Sequence, residues 1–281
     1  MVSSKKMIMK PVLLDFNGTL FSDTCFHMEA WSEIYRELHE NANEVPDSSF
    51  FCGPRNDDII HAIAPDMPRA EREQCSVHKE ALYRSICRKN PDKLHLTKGA
   101  EELLQYMKEH DCPYILASAS IQANIDFYFE TFHLERWLNK ETCVYDDGTY
   151  DNKGEMHLEA ARRLGADISE CIVVEDSLNA IKYARNNKAG MIVAIGSENT
   201  HPDLIQAGAD HCINDFTEFD YESIIAIVQW ELKWILYFTI SIILQFAMYY
   251  FFWKKSKILK IVTLLFSLII VIVPLHVFDF T

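Results

Sequence analysis

Along residues 99–213, short apolar runs alternate with helical stretches, and that alternation leaves few folds open. Gly99 to Glu109 has helical spacing, Tyr114-Ile115-Leu116-Ala117 reads as a strand, and Ile121 to Phe132 is helical again. Glu155 to Leu164 is a helix, Ile172-Val173-Val174 a strand, Asn179 to Asn187 a helix and Met191 to Ile195 a strand. A helix from about His201 to Ala207 then leads into His211-Cys212-Ile213. Strand and helix repeated in this way predict a doubly wound, Rossmann-like α/β fold, a parallel sheet covered on both faces. In such sheets ligands sit beyond the carboxyl ends of the strands. Three groups of polar residues stand at those ends: Asp15 after Val12-Leu13-Leu14, Ser118 after Ala117, and Glu175-Asp176 after Val174.

Residues 24 to about 91 break the alternation. Trp31, Ile34, Tyr35 and Leu38 fall at i, i+3, i+4 and i+7, Ile59, Ile60 and Ile63 start another helical face, and Glu71 to Cys87 suggests a third helix. No strand signal interrupts them. The expected organisation is a Rossmann-like core of residues 1–22 and 92–222, with an all-helical cap, 23–91, inserted after the first strand.

A chain of 281 residues that is 49% hydrophobic can bury such a core and a smaller partner domain. Its net charge of −14 is unevenly spread. Residues 231–281 hold five lysines (233, 254, 255, 257, 260) and two acids, so they carry +3 and the rest of the chain −17. A surface that acidic argues against a nucleic-acid partner, since phosphate backbones are held chiefly by Lys and Arg. It leaves room for a small phosphorylated substrate, which needs only a metal ion and one or two basic side chains. The eight cysteines stand singly, with no C-x-x-C pair, and are expected to be reduced and mostly buried.

The tail differs. Residues 232–253 and 258–278 are two apolar stretches, each long enough as a helix to span roughly 30 Å, the thickness of a bilayer's hydrocarbon core. Trp230, Trp234, Tyr249, Tyr250 and Trp253 sit near the ends of the first, as an interfacial belt would place them, and Lys254-Lys255-Ser256-Lys257 joins the two. They read as a C-terminal transmembrane hairpin; a buried or amphipathic helix pair is the alternative. Positive-inside counting puts the lysine loop in the cytosol and the large domain outside. No signal peptide is read before Asp15, and this, with the cysteines and the size of the domain, sets the expectation at a cytoplasmic catalytic domain.

A carboxylate at the position of Asp15 can attack phosphorus if a divalent cation neutralises charge on both reactants. Gly18 permits a tight turn, and Thr19 can hydrogen-bond the loop or a phosphate oxygen; D-x-N-G also suits an ordinary turn. Ser118 can bind a phosphoryl oxygen, or Ser118 or Ser120 can cap the next helix. Lys153 can neutralise phosphate and Asp15, although a single Lys is ordinarily solvated. Glu175-Asp176 suits a hard cation, while Asp176 alone could be a helix cap.

Taken in order, Leu13-Leu14-Asp15-Phe16-Asn17-Gly18-Thr19-Leu20, Leu116-Ala117-Ser118-Ala119-Ser120, Lys153 ahead of Leu158 to Gly165, and Val174-Glu175-Asp176-Ser177 resemble the four motifs of the haloacid dehalogenase superfamily. The resemblance covers about residues 8–220 and is nearest the helical-cap branch of β-phosphoglucomutase and the sugar-phosphate phosphatases. It implies that Asp15 forms an aspartyl-phosphate. It also implies that Asp15, the backbone carbonyl of Asn17, Asp176 and Glu175 hold Mg²⁺, and that Ser118 and Lys153 grip the phosphate. Thr19, Ala119, His27, Trp31 and the Gly53-Pro54-Arg55 segment match parts that meet substrate, with Arg55 a bidentate donor to a distal phosphate. For His27 and Trp31, packing within the cap is the competing role.

The chain departs from this pattern at three places. Asn17 stands where the family usually has a second Asp that protonates the leaving oxygen, and an amide has no proton to exchange. Lys153 is followed by Gly154 rather than the usual Pro, which loosens its loop. Ala180 replaces a usual Gly. The expected function is a Mg²⁺-dependent phosphatase for a small phosphorylated metabolite, a sugar phosphate by preference. A phosphomutase and a membrane-anchored, non-catalytic binding protein are the alternatives, and Asn17 keeps the latter open. If Asn17 is simply a lost acid, Asn17→Asp should raise activity or leave it unchanged.

Overall fold

The computed structural model describes residues 9–39, 44–51, 55–220, 239, 240, 242 and 243. Residues 9–221 form one unit; residues 1–8 and 222–281 make up the other, in which Thr239, Ile240, Ile242 and Ile243 are helical. The rest of the two apolar stretches, 232–253 and 258–278, lies outside the described residues, as do Gly53 and Pro54. No helix among the described residues is long and apolar enough to cross a membrane.

The larger unit is built on a parallel sheet of β1 (Val12–Leu14), β2 (Tyr114–Ile121), β3 (Val144–Asp146), β4 (Ile172–Glu175), β5 (Met191–Ile195) and β6 (His211–Ile213). Their order across the sheet is β3-β2-β1-β4-β5-β6. The chain lays strands outward from β1 to one side and then returns to β1's other flank. β1 and β4 therefore flank the point where strand order reverses, the crevice where a doubly wound sheet binds its ligand. The central strands are apolar without alternation, and Val12-Leu13-Leu14 and Ile172-Val173-Val174 are wholly buried, because helices cover both faces. Those helices include α5 (Ala100–Glu109), α6 (Gln122–Phe132), α7 (Lys153–Arg163), α8 (Leu178–Asn186) and α9 (His201–Ala207), and Met156, Ala160, Ile181 and Leu204 pack against Leu13, Val173 and Ala194.

Between β1 and α5 the described chain is helical: α1 (Thr24–Leu38), α2 (Ser48–Phe51), α3 (Asn56–Ile63), α4 (Arg69–Lys89) and a short 3-10 turn. These elements have their own apolar centre in Trp31, Ile34, Phe51, Ile59, Ile60 and Ile63.

One strand is added to the expected elements and two local expectations are corrected. Val144-Tyr145-Asp146 is an edge strand that the sequence pattern does not announce, being short and half polar. β2 runs through Ser118 and Ser120 to Ile121, with an irregular register between Ala117 and Ile121 where it pairs with β3, so Ser118 lies within the strand rather than after it. Lys153 opens α7 instead of preceding it, and Gly154 does not loosen its surroundings. Asn152 caps the helix by accepting from Glu155 N–H, and Asn187 Nδ2 donates to the Gly154 carbonyl at 2.9 Å.

Candidate active site

β1 and β4 are in register, Leu14 beside Val174, and the Asp15 N–H donates to the Val174 carbonyl at 3.0 Å. The register carries Asp15 to the carboxyl end of the sheet's central strands, beside Glu175 and Asp176. One carboxylate oxygen from each of the three lies within 4.8 Å of the others. Asp176 is no helix cap: Ser177 caps α8, its hydroxyl accepting from Ala180 N–H at 3.2 Å, which leaves the Asp176 carboxylate free to turn into the crevice. It lies over Gly18, whose φ is +72° and where a Cβ would come within 2.0 Å of Asp176 Oδ2. Gly18 is thus required twice, for its left-handed turn and for the approach of the third acid.

Lys153 faces this group. Its ammonium contacts Asp15 Oδ1 directly and lies 3.2 Å from Glu175 Oε1. The wholly buried His157 donates from Nε2 to the same Glu175 oxygen at 3.0 Å, and its Nδ1 has no partner among the described residues. One ammonium serves three acids, and the electrostatics divide accordingly. Burial would raise Glu175, but Lys153 and His157 outweigh it and hold that carboxyl low. Burial pushes Asp15 up to about 7 despite Lys153, and burial with the neighbouring Asp15 and Glu175 charges pushes Asp176 well above the usual range. The converging oxygens are hard donors carrying more negative charge than the protein offsets, which is the donor set a hard divalent cation requires. Asp15, Glu175 and Asp176 therefore fit Mg²⁺.

A second buried cluster adjoins the first. The Asn17 carboxamide donates from Nδ2 to Asp23 Oδ2 at 2.5 Å and to Tyr128 Oη at 2.7 Å, and its Oδ1 accepts from Ser120 Oγ at 2.6 Å and Ser118 Oγ at 3.4 Å. Both N–H groups and the carbonyl are engaged, so the side chain offers no free donor to a leaving oxygen. Asp23 also accepts from Tyr83 Oη at 2.6 Å and from Gly18 N–H at 3.0 Å, and His27 Nε2 is 3.3 Å away. Burial alone would raise the Asp23 carboxyl; His27, Tyr83 and Asn17 hold it below its usual range. Lys79 donates to His27 Nδ1 at 2.8 Å and to Glu80 Oε1 at 2.8 Å. An ammonium cannot accept, so Nδ1 is the acceptor and Nε2 carries the imidazole hydrogen toward Asp23. Asn56 and Asn124 complete the Glu80 carboxylate, each at 2.7 Å.

The sequence-predicted residues divide between these surroundings. Asp15, Asn17, Ser118, Lys153, Glu175 and Asp176 converge, and neither Ser118 nor Ser120 caps α6, whose N-cap is Ile121 without a side-chain bond. His27 is half-buried at the junction and stacks on Tyr83, ring centroids 3.9 Å apart. Trp31 takes the competing role, buried in the cap and stacked on Phe51. Thr19 is wholly buried and its hydroxyl bonds neither to the loop nor to anything else among the described residues. Ala119 is exposed. Arg55 is exposed and donates to the Asp151 carbonyl at 3.2 Å, two residues before Lys153. Asp23, Lys79, Glu80, Tyr83, Ser120, Tyr128 and His157 did not emerge from the sequence as site residues. The adjacent Lys79-Glu80 reads as an ordinary solvated helix face, and Asp23 as a helix cap.

A family model described as haloacid dehalogenase-like hydrolase matches residues 9–188. The chain is 33% identical over 137 residues to the bifunctional riboflavin kinase/FMN phosphatase of Arabidopsis thaliana. That stretch is 47% of this chain but 34% of the plant protein, so the match spans about a third of that relative. A HAD hydrolase of family IA, variant 3, from Entamoeba histolytica superposes with a TM-score of 0.72 at 29% identity, covering 79% of this chain and 100% of that one. CbbY from Rhodobacter sphaeroides, solved in complex with xylulose-(1,5)bisphosphate, gives a TM-score of 0.63 at 17% identity over 75% and 96% of the two chains, a likeness of fold.

Proposed function

Because the chain belongs to the haloacid dehalogenase-like hydrolase family, we propose that it is a Mg²⁺-dependent phosphatase acting on a small phosphorylated metabolite through an aspartyl-phosphate at Asp15. The observation that carries this reading is the convergence of Asp15, Glu175 and Asp176 at the reversal of strand order, with the Lys153 ammonium on the first two. Mg²⁺, when bound by Asp15, Glu175, Asp176 and the Asn17 backbone carbonyl, supplies charge neutralisation that lets an anionic nucleophile meet an anionic phosphate. Lys153 favours the ionised form of Asp15 against the effect of burial and draws the phosphoryl group toward it. Asp15 attacks phosphorus, an O–P bond forms, the ester O–P bond breaks, and the leaving oxygen takes its proton from solvent. Water then cleaves the acyl phosphate, giving inorganic phosphate and the free carboxylate.

With the Asn17 carboxamide fully engaged, this chain has no proton donor at that position, and general acid–base help of that kind is typically worth 10²–10⁴-fold. Slow turnover follows, with an aspartyl-phosphate that persists. The same feature counts against a phosphomutase, which needs proton transfer in both half-reactions, and favours as second reading a protein that binds Mg²⁺ and phosphate without turnover. A phosphate-release screen with Mg²⁺ over sugar phosphates, FMN, nucleotides and phospholipid head-group phosphates separates them. Release by the wild-type chain that Asp15→Asn abolishes supports the phosphatase; metal-dependent phosphate binding without release selects the second reading.

The apolar tail supports a further part of the proposal, a membrane tether with the catalytic domain on the cytoplasmic side. Carbonate extraction of membranes carrying the full chain tests the tether, and labelling the native cysteines with an impermeant thiol reagent in intact cells tests the side. Release by carbonate, or labelling from outside, contradicts it.

A further inference from the structure

Asp23 occupies the N-cap of α1, where an aspartate ordinarily accepts from the first turn's backbone, yet its side chain makes no cap bond. Its carboxylate, 1% exposed, points into the junction and accepts from Asn17, Tyr83 and Gly18, with the His27 N–H beside it. A carboxylate so far from water persists only where its lone pairs are used. Asn17 is the other half of this arrangement. A carboxylate only accepts, so the Asn17 atom facing Asp23 at 2.5 Å is the amino group, and the carbonyl oxygen is thereby turned to Ser118 and Ser120. Tyr128 and the two serines can each donate or accept, so they do not select between the two ways a carboxamide can sit; Asp23 does. The same contact excludes an acid at position 17. An isosteric carboxylate would meet the Asp23 carboxylate at 2.5 Å in a buried site, where two such groups coexist only by sharing a proton.

We propose that Asp23 is the positioning residue for Asn17, holding the carboxamide oxygen toward Ser118 and Ser120, and that positions 17 and 23 form a matched pair carrying one negative charge between them. For the single Asn17→Asp protein this reverses the gain in activity suggested by a simple exchange of amide for acid. The kinetic half of the proposal rests on the phosphatase reading; the pairing itself does not.

The test is a cycle of four full-length proteins: wild type, Asn17→Asp, Asp23→Asn and the reciprocal double variant, each measured for Tm and for Mg²⁺-dependent phosphate release. Asn17→Asp should lose several degrees of Tm, about 5 °C, and at least about tenfold in kcat. In the double variant the hydrogen bond runs the other way with the charge at position 17, so Tm should return to within about 2 °C of wild type and kcat should recover. Asp23→Asn alone should let the carboxamide flip, lowering kcat about tenfold while KM changes by less than about twofold, the mark of an interaction used in the transition state. A purely structural role would move Tm and leave the kcat of the folded fraction alone. Should Asn17→Asp fail to fold, a folded double variant is the supporting result. Additive Tm effects, or an unchanged kcat in Asp23→Asn, overturn the proposal. If wild type itself releases no phosphate, the phosphatase reading fails and the Tm cycle alone decides the pairing.

Discussion

Two buried polar clusters meet at residues 15–17, and they are neutralised to different degrees. On one side Asp15, Glu175 and Asp176 share Lys153; on the other, Asp23 and Glu80 are enclosed by Asn17, Tyr83, His27, Lys79, Asn56 and Asn124. The second cluster holds its acids low, Glu80 down to about 2, because Lys79, His27 and their hydrogen bonds outweigh burial. The first leaves Asp15 and Asp176 raised. Burial is common to both, so the difference lies in compensation. Where the protein answers every charge itself, the cluster holds the fold together; where it does not, the remaining charge is left for a ligand.

The largest effect should come from breaking the compensated side. Lys79→Met removes the cation from a buried Glu80 and should cost about 3 kcal/mol in chemical denaturation, the usual result of orphaning one member of a buried pair. A loss near zero would mean that Asn56 and Asn124 satisfy Glu80 alone and that the two clusters are not distinct.

The opposite sign is expected across the boundary. Asp176→Asn takes a surplus charge out of the uncompensated cluster and should stabilise the metal-free protein by about 1 kcal/mol while abolishing its response to Mg²⁺. Destabilisation there would show that Asp176 is structurally paired after all.

The pH response sharpens the same contrast. The Asp15 carboxyl stands at about 7 in the fold against an ordinary 3.8, so between these values the folded chain holds a proton that the unfolded chain has released. Its contribution to stability therefore falls as pH rises through that window and is fully lost above about 7. Glu80, lowered from 4.5 to about 2, contributes above 4.5 and loses its contribution only as pH falls below that. From about pH 5 to 7 the first effect acts without the second. Since Mg²⁺ competes with the proton on Asp15, the rise in Tm on adding Mg²⁺ should grow over this interval. A Mg²⁺ effect independent of pH would contradict a site made of raised carboxyls.

The smallest effect belongs to Arg55, exposed and bonded to the Asp151 carbonyl outside both clusters. Arg55→Ala should raise KM a few-fold, with kcat and Tm nearly unchanged; a collapse of kcat would place Arg55 in the chemistry.

The same contrast explains what the sequence disclosed. β1, β4 and β5 are plain as apolar runs because a parallel sheet buried on both faces needs no alternation. Asp15, Glu175 and Asp176 are plain because each follows such a run, and Lys153 because the motif order singles it out. The short edge strand Val144–Asp146, half-buried at Tyr145 and Asp146, leaves no comparable run. The compensated cluster was hidden for a different reason. Lys79 and Glu80 lie mid-helix on α4, a strongly polar helix, and only the packing of α1, α3 and α6 against it takes them out of water. Asp23 stands where an N-cap is expected, and nothing local reveals that its side chain turns inward. Residues that act at a strand's end can be read from the chain itself; residues that act through partners 50 or 60 positions away, as His27 with Lys79 and Asp23 with Tyr83 do, cannot.

The most direct test is acid-quenched reaction of the full chain with acetyl phosphate, followed by peptide mapping of the acyl phosphate. A phosphoryl group on Asp15 that requires Mg²⁺ and is absent from Asp15→Asn is the expected result. A phosphoryl group on another residue, or one on Asp15 that forms equally well without a divalent cation, would contradict the assignment of the uncompensated cluster as the catalytic centre.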